Sequence, residues 1–112
     1  PDHIEKAKQQ VSDEVVFVQG DSVRSLRNLN VEQIDLLYLD SYDLEVSNPH
    51  PSSLHHLKEL VSAMPMCRPH TLIMVDDSLE GKGKGAYVSS YLRDIGAEML
   101  FDAYQIGFVL GR

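Results

Sequence analysis

Carboxylates recur at one kind of position in this chain. Asp21 follows the apolar run Val15-Val16-Phe17-Val18, Asp40 and Asp43 follow Ile34 to Leu39, and Asp76 and Asp77 follow Thr71 to Val75. Two or three carboxylates gathered in one crevice can orient a polar substrate or hold a hard divalent cation through oxygen ligands and water. Each can also do something plainer, capping the next turn or helix with its side-chain oxygen. Asp40 is the strongest candidate for chemistry, and Asp40, Asp76 and Asp77 form the candidate set for Mg²⁺.

Histidine is the second feature. His50 lies in the Pro-flanked loop after Asp40 and is placed for acid–base work beside it. His55 and His56 are adjacent, so on a helix they point about 100° apart. Cys67 is the sole cysteine and stands at no ligand spacing from them, so a zinc site is not expected.

The elements that must position these groups follow from periodicity. Asp2 and Glu5 make a capping box for an opening helix with Ile4, Ala7 and Val11 on one face. Val15–Val18, Ile34–Leu39 and Thr71–Val75 read as buried strands. Val23, Leu26 and Leu29 mark a short helix capped by Asp21 or Ser22. Leu54, Leu57, Leu60, Val61 and Met64 mark a longer one capped by Ser52 or Ser53, with Pro65 and Pro69 punctuating its end. The Gly-rich turn from Glu80 to Gly85 leads to a helix with Val88, Leu92 and Ile95, stopped at Gly96. Met99–Tyr104 and Ile106–Leu110 are close enough to form a hairpin. Three strands without polar alternation, each followed by a helix, predict an α/β fold with a mostly parallel sheet covered on both faces. Ligands in such sheets sit beyond the carboxyl ends of the strands, where these aspartates fall.

Composition narrows the partners. The chain has 112 residues and a formal net charge of -7, from 10 basic and 17 acidic residues. That balance opposes nucleic-acid and anionic-membrane surfaces. No apolar run approaches the roughly 20 residues of a spanning helix. One cysteine allows no internal disulfide and points to a reducing, cytoplasmic setting.

The local motifs resemble the C-terminal half of class I S-adenosylmethionine-dependent methyltransferases. Val18-Gln19-Gly20-Asp21-Ser22 is similar to that family's third motif, near the adenine. Ile34-Asp35-Leu36-Leu37-Tyr38-Leu39-Asp40-Ser41 is similar to its fourth, whose acidic residue stands beside the methyl-transfer site. Ile73-Met74-Val75-Asp76-Asp77-Ser78 and Tyr104-Gln105-Ile106-Gly107-Phe108 resemble the fifth strand and closing hairpin of a small-molecule subgroup.

The resemblance implies a Rossmann-like three-layer sandwich with a C-terminal antiparallel hairpin. It implies S-adenosylmethionine near Gly20, Asp21, Ser22, Asp40 and Ser41, catalysis by Asp40 and His50, and in some relatives Mg²⁺ on the acidic set. A small-molecule oxygen or nitrogen is the implied acceptor. The family's glycine-rich first motif and the acidic second strand have no counterpart here. Residues 1–112 therefore read as one partial domain lacking the first two strands, with edges left for repacking, a homodimer or further polypeptide. A non-catalytic binding remnant is one alternative. A receiver-like Mg²⁺ phosphoacceptor is another, but it would require circular permutation and a strand-end Lys that is not evident.

Overall fold

The computed structural model describes residues 15, 16, 18–40, 48, 50–76 and 85–111. Their order is α1 (Ser22–Asn28), β1 (Ile34–Leu39), α2 (His50–Ala63), a 3₁₀ turn (Met64–Met66), β2 (Cys67–Val75), α3 (Ala86–Asp94), β3 (Glu98–Asp102) and β4 (Ile106–Val109). The four strands form one mixed sheet in the order β1-β2-β4-β3. β1 and β2 are parallel, whereas β4 runs antiparallel to both β2 and β3. β1, β2 and β3 thus share one direction, and the returning arm of the hairpin is inserted between β2 and β3.

Register makes the sheet easy to follow. Leu37, Ile73, Phe108 and Met99 form one row across it, and Leu39, Val75 and Ile106 the next on the same face. These residues pack with Leu60 and Ala63 of α2 and Val88 and Leu92 of α3 into one core. Burying each large aliphatic or aromatic side chain there contributes about 1.5–3 kcal/mol. The alternate rows point the other way. Leu36 is 53% exposed, and Leu72 and Tyr38 are also open to solvent. The described residues therefore make two layers, helices on one sheet face, and the expected second helical layer is not among them. β1 accordingly alternates in burial and is not buried on both sides.

The helices differ from expectation in instructive ways. α1 is capped as predicted, the Asp21 carboxylate accepting from the Val23 N–H at 3.2 Å. α2 begins at His50, with Pro51 in its first turn where the missing N–H costs nothing. Ser52 and Ser53 are therefore buried helical residues, not caps. Of the expected apolar stripe on α2 only Leu60 is buried, and Val61 is 49% exposed. Its inward face is instead Ser52, Ser53, His56, Glu59, Leu60 and Ala63. Hydrophobicity misread this face because two of its polar groups, His56 and Glu59, meet each other at 2.7 Å. Gly96 ends α3 at φ 83°, as the sequence suggested.

Two strands also shift. β2 begins at Cys67, earlier than Thr71, and contains Pro69 and a left-handed His70 at φ 74°. This irregular stretch displaces the pairing between Ile34 and Leu36. It is held by the buried Thr71 hydroxyl, which accepts from Arg68 N–H at 3.0 Å and donates to the Ile34 carbonyl at 2.5 Å. Residues 15, 16 and 18 form no strand: Val16 is 82% and Val18 58% exposed. Their β-branched character has no neighbouring strand to pair with among the described residues, and propensity alone does not make a ladder. The opening helix expected near Asp2 lies outside the described residues.

Candidate functional site

The parallel pairing of β1 and β2 brings two of the predicted carboxylates together. Asp40 directly follows β1 and Asp76 directly follows β2, and the Asp76 N–H donates to the Leu39 carbonyl at 3.1 Å. The two aspartates thus leave adjacent strands at the same end of the sheet. Both continue the side-chain alternation of Tyr38 and Met74, which places them toward the uncovered face.

Tyr38 joins this group although the motif reading passed over it. Gln105, in the turn between β3 and β4, donates from Nε2 to the Tyr38 hydroxyl at 3.2 Å. The same hydroxyl donates to the Asp76 carboxylate, and its acidity reflects the setting. Partial desolvation, then the charges of Asp76 and Asp40, and then the hydrogen bond to Asp76 hold the Tyr38 phenol above its usual 10.0, while Gln105 works in the opposite direction. Tyr38, Asp76 and Gln105 therefore form a polar line across the ends of β1, β2 and β4. The signal available in the sequence was parity: Tyr38 lies two residues before Asp40 in a strand and so shares its face.

His50, the other catalytic candidate, is the first residue of α2. Its ring meets the Tyr87 ring edge-on, with centroids 5.2 Å apart, and Nδ1 is hydrogen-bonded to the Tyr87 hydroxyl. Both side chains sit at helix starts that follow the carboxyl ends of β1 and β2. Ser41, Asp43 and Asp77 lie outside the described residues, so the expectations for them are not addressed by the fold. Among the described residues no group of three or more His, Cys, Asp or Glu side chains could hold a metal ion.

The expected cofactor residues diverge. Gly20 and Ser22 border a cavity of about 380 Å³ that runs along β1, with Leu37, Tyr38, Leu39 and Glu59 also on its wall. Asp21 does not line it; its carboxylate is engaged as the helix cap. The Ser22 hydroxyl is hydrogen-bonded to His55 Nε2 at 3.1 Å.

That contact opens a network which the residue types alone had not revealed. His55 Nε2 lies 3.7 Å from Glu59 Oε2, and Glu59 Oε1 is 2.7 Å from His56 Nδ1. Serine, histidine and glutamate in contact resemble a nucleophile with its base, but a hydrolytic triad needs the acid on the opposite ring nitrogen. Here Ser22 and Glu59 both meet Nε2. The network ties α1 to α2, and the two histidines diverge as their adjacency required, one toward Ser22 and one into the core. His56 is fully buried, with Nε2 finding no partner among the described residues. Cys67 is buried and unpaired, its thiol pushed up by burial against the opposing influence of Arg68.

Neither a comparison with protein-family models nor one with curated proteins finds a match to this chain. Among the described residues no helix is long and apolar enough to cross a membrane.

Proposed function

We propose that this chain carries the acceptor-side part of an S-adenosylmethionine-dependent methyltransferase domain that acts on a small-molecule oxygen or nitrogen. The observation that carries the reading is the side-by-side exit of Asp40 and Asp76 from adjacent parallel strands, tied by the Asp76 N–H to the Leu39 carbonyl. In this reading Gly20, Ser22 and Asp40 face the cofactor, with Asp21 and Ser41 next to them in sequence, and the cofactor when bound supplies an electrophilic methyl group on a sulfonium. Gly20 and Ser22 share a cavity with Leu39, the residue before Asp40, which accords with one ligand running between them. Asp40 orients the acceptor and draws on its proton. His50, held by Tyr87, is the second proton-handling group at that end of the sheet. Catalysis then rests mainly on proximity and alignment.

A Mg²⁺ ion suits the donor chemistry. Such an ion is commonly held through one or two carboxylates plus waters, and Asp40 and Asp76 supply two hard oxygen donors, with Asp77 next in sequence. Bound there, it would lower the pKa of an acceptor hydroxyl. A buried, unpaired Cys67 accords with a reducing cytoplasmic setting.

The test is isothermal titration with S-adenosylhomocysteine, with and without Mg²⁺. The 112-residue chain is expected to give no heat, and a polypeptide extended N-terminally by its parent gene is expected to bind. In that longer polypeptide Asp40→Asn should slow methyl transfer by about 10²–10⁴-fold, the range for loss of a positioned acid–base group. A silent extended polypeptide would reject the reading in favour of a non-catalytic binding module.

A further inference from the structure

Charge is unevenly spread over the helical layer. The chain carries a formal net charge of -7, yet α1 holds Arg24 and Arg27 and no carboxylate. α2 has a single carboxylate, Glu59, which is 3% exposed and bonded to His56 in the core. The outward sides of these two helices are therefore a basic region on an acidic chain.

A groove of about 530 Å³ runs between them. Val23 and Arg27 of α1 border it, as do Leu57, Lys58 and Val61 of α2. It is distinct from the cavity along β1, which takes a different stripe of α1, namely Ser22, Ser25, Leu26 and Leu29. None of Asp40, Asp76 and His50 borders the groove.

Its two cations lack the partners that such residues usually find. Among the described residues neither Arg27 nor Lys58 has an ion pair or a side-chain hydrogen bond. No carboxylate stands three or four positions from either, so neither helix supplies one. Asp21 is the one carboxylate on the wall among the described residues, and it is engaged as the α1 cap. Beside these cations Val61 is exposed, and Val23 and Leu57 are half-buried.

The number and placement of the charges select the occupant. One unpaired cation from each helix is too few for a nucleic-acid or membrane surface, which needs a row of them. The pair matches a single dianionic head. A phosphate monoester carries about 1.5–2 negative charges near pH 7, and its acceptor oxygens suit an arginine fork with a lysine beside it. The apolar side chains on the wall suit a compact apolar body, and the volume is that of a small-molecule site.

We infer that the groove between α1 and α2 binds a small phosphate monoester with an apolar body, its phosphate held by Arg27 and Lys58. This rests on the groove alone, and not on methyl transfer.

The test titrates phenyl phosphate into the isotopically labelled chain at constant ionic strength, with NMR shifts and light scattering as readouts. Inorganic phosphate, benzyl alcohol and an Asp/Glu-rich peptide are run in parallel. The expected result is a saturable one-to-one complex with shifts centred on Val23, Arg27, Leu57 and Val61. Inorganic phosphate and benzyl alcohol each keep half of the recognition and should bind at least about tenfold more weakly. Arg27→Gln and Lys58→Gln should each weaken phenyl phosphate by at least about tenfold, the loss of one charge-assisted contact. Both side chains are exposed, so these substitutions leave the core untouched. Arg93→Gln removes the same charge from α3 and should change nothing. Asp21→Asn keeps a capping side chain while removing a negative charge from the wall, and should tighten binding. Five results would each overturn the inference: equal weakening in Arg93→Gln, inorganic phosphate binding as tightly as the ester, shifts centred on the cavity along β1, self-association through the groove, or tighter binding there of the acidic peptide.

Discussion

Gln105 reaches across the end of β2 to donate to the Tyr38 hydroxyl at 3.2 Å, joining two residues 67 positions apart in the chain. The contact exists because β4 is inserted beside β2, so its leading residue falls within two strand spacings of β1. Asp76 lies between them, and its carboxylate accepts from the same hydroxyl.

A spectrophotometric titration of the tyrosines should therefore show one group ionising above 10.0 that is missing in Tyr38→Phe. Asp76→Asn should bring that group part of the way back, because desolvation, the largest cause, remains. The sign for stability follows. The folded chain binds this proton more tightly than the unfolded chain does, so stability is unaffected below the unfolded value and falls as pH rises toward the folded one. Denaturant midpoints near and above pH 10 should fall less steeply in Tyr38→Phe. An unchanged titration curve in Tyr38→Phe would remove the phenol from the site.

His56 and Glu59 should behave as one unit. Glu59 is almost fully buried and His56 completely so, with 2.7 Å between Nδ1 and Oε1. Either single substitution to leucine leaves a buried polar partner behind and should cost roughly 2–4 kcal/mol. The double variant should cost about 1 kcal/mol or more less than the sum. Urea unfolding of the four proteins measures this, and strict additivity would show that the pair is not coupled.

Gly107 is required by a neighbour, not by its backbone angles. A Cβ there would strike the ring of Phe101, which lies across the Gly107 backbone on the open face. Gly107→Ala should destabilise by about 1–3 kcal/mol, the usual range for overpacking. Adding Phe101→Ala should recover part of that loss, since the obstacle is then gone. No recovery in thermal melts would place the strain elsewhere.

Cys67 should resist thiol reagents in the folded chain. Its thiol is held up by burial, and its Sγ donates to the Ala63 carbonyl at 3.5 Å. The thiolate is the reactive form, so a disulfide reagent at pH 8 should modify it only as fast as the chain opens. Rapid modification without denaturant would contradict the buried placement.

How much of this was legible in advance can be judged from particular residues. The local grammar was sufficient for several elements. Asp21 as a helix cap, Ile34–Leu39 as a strand, Gly96 as a helix stop and the closing hairpin all depend on groups within a few positions of one another. The acidic strand ends were legible for the same reason, because a carboxylate after an apolar run marks the end of a strand wherever the strand lies.

What the tertiary structure decided is which of those marks meet. Asp40 and Asp76 are neighbours only because β1 pairs directly with β2 in parallel. Tyr38 and Gln105 join them only because β4 comes between β2 and β3. The inward turn of His56 and Glu59, against the apolar stripe on the same helix, likewise depended on each finding the other in the core. Val15, Val16 and Val18 show the converse, since strand-forming residues that meet no partner strand among the described residues stay out of the sheet. Helix caps and stops are local hydrogen bonds that a few adjacent residues determine. Strand order and the facing of polar groups come from long-range pairing, which no short stretch of sequence encodes by itself.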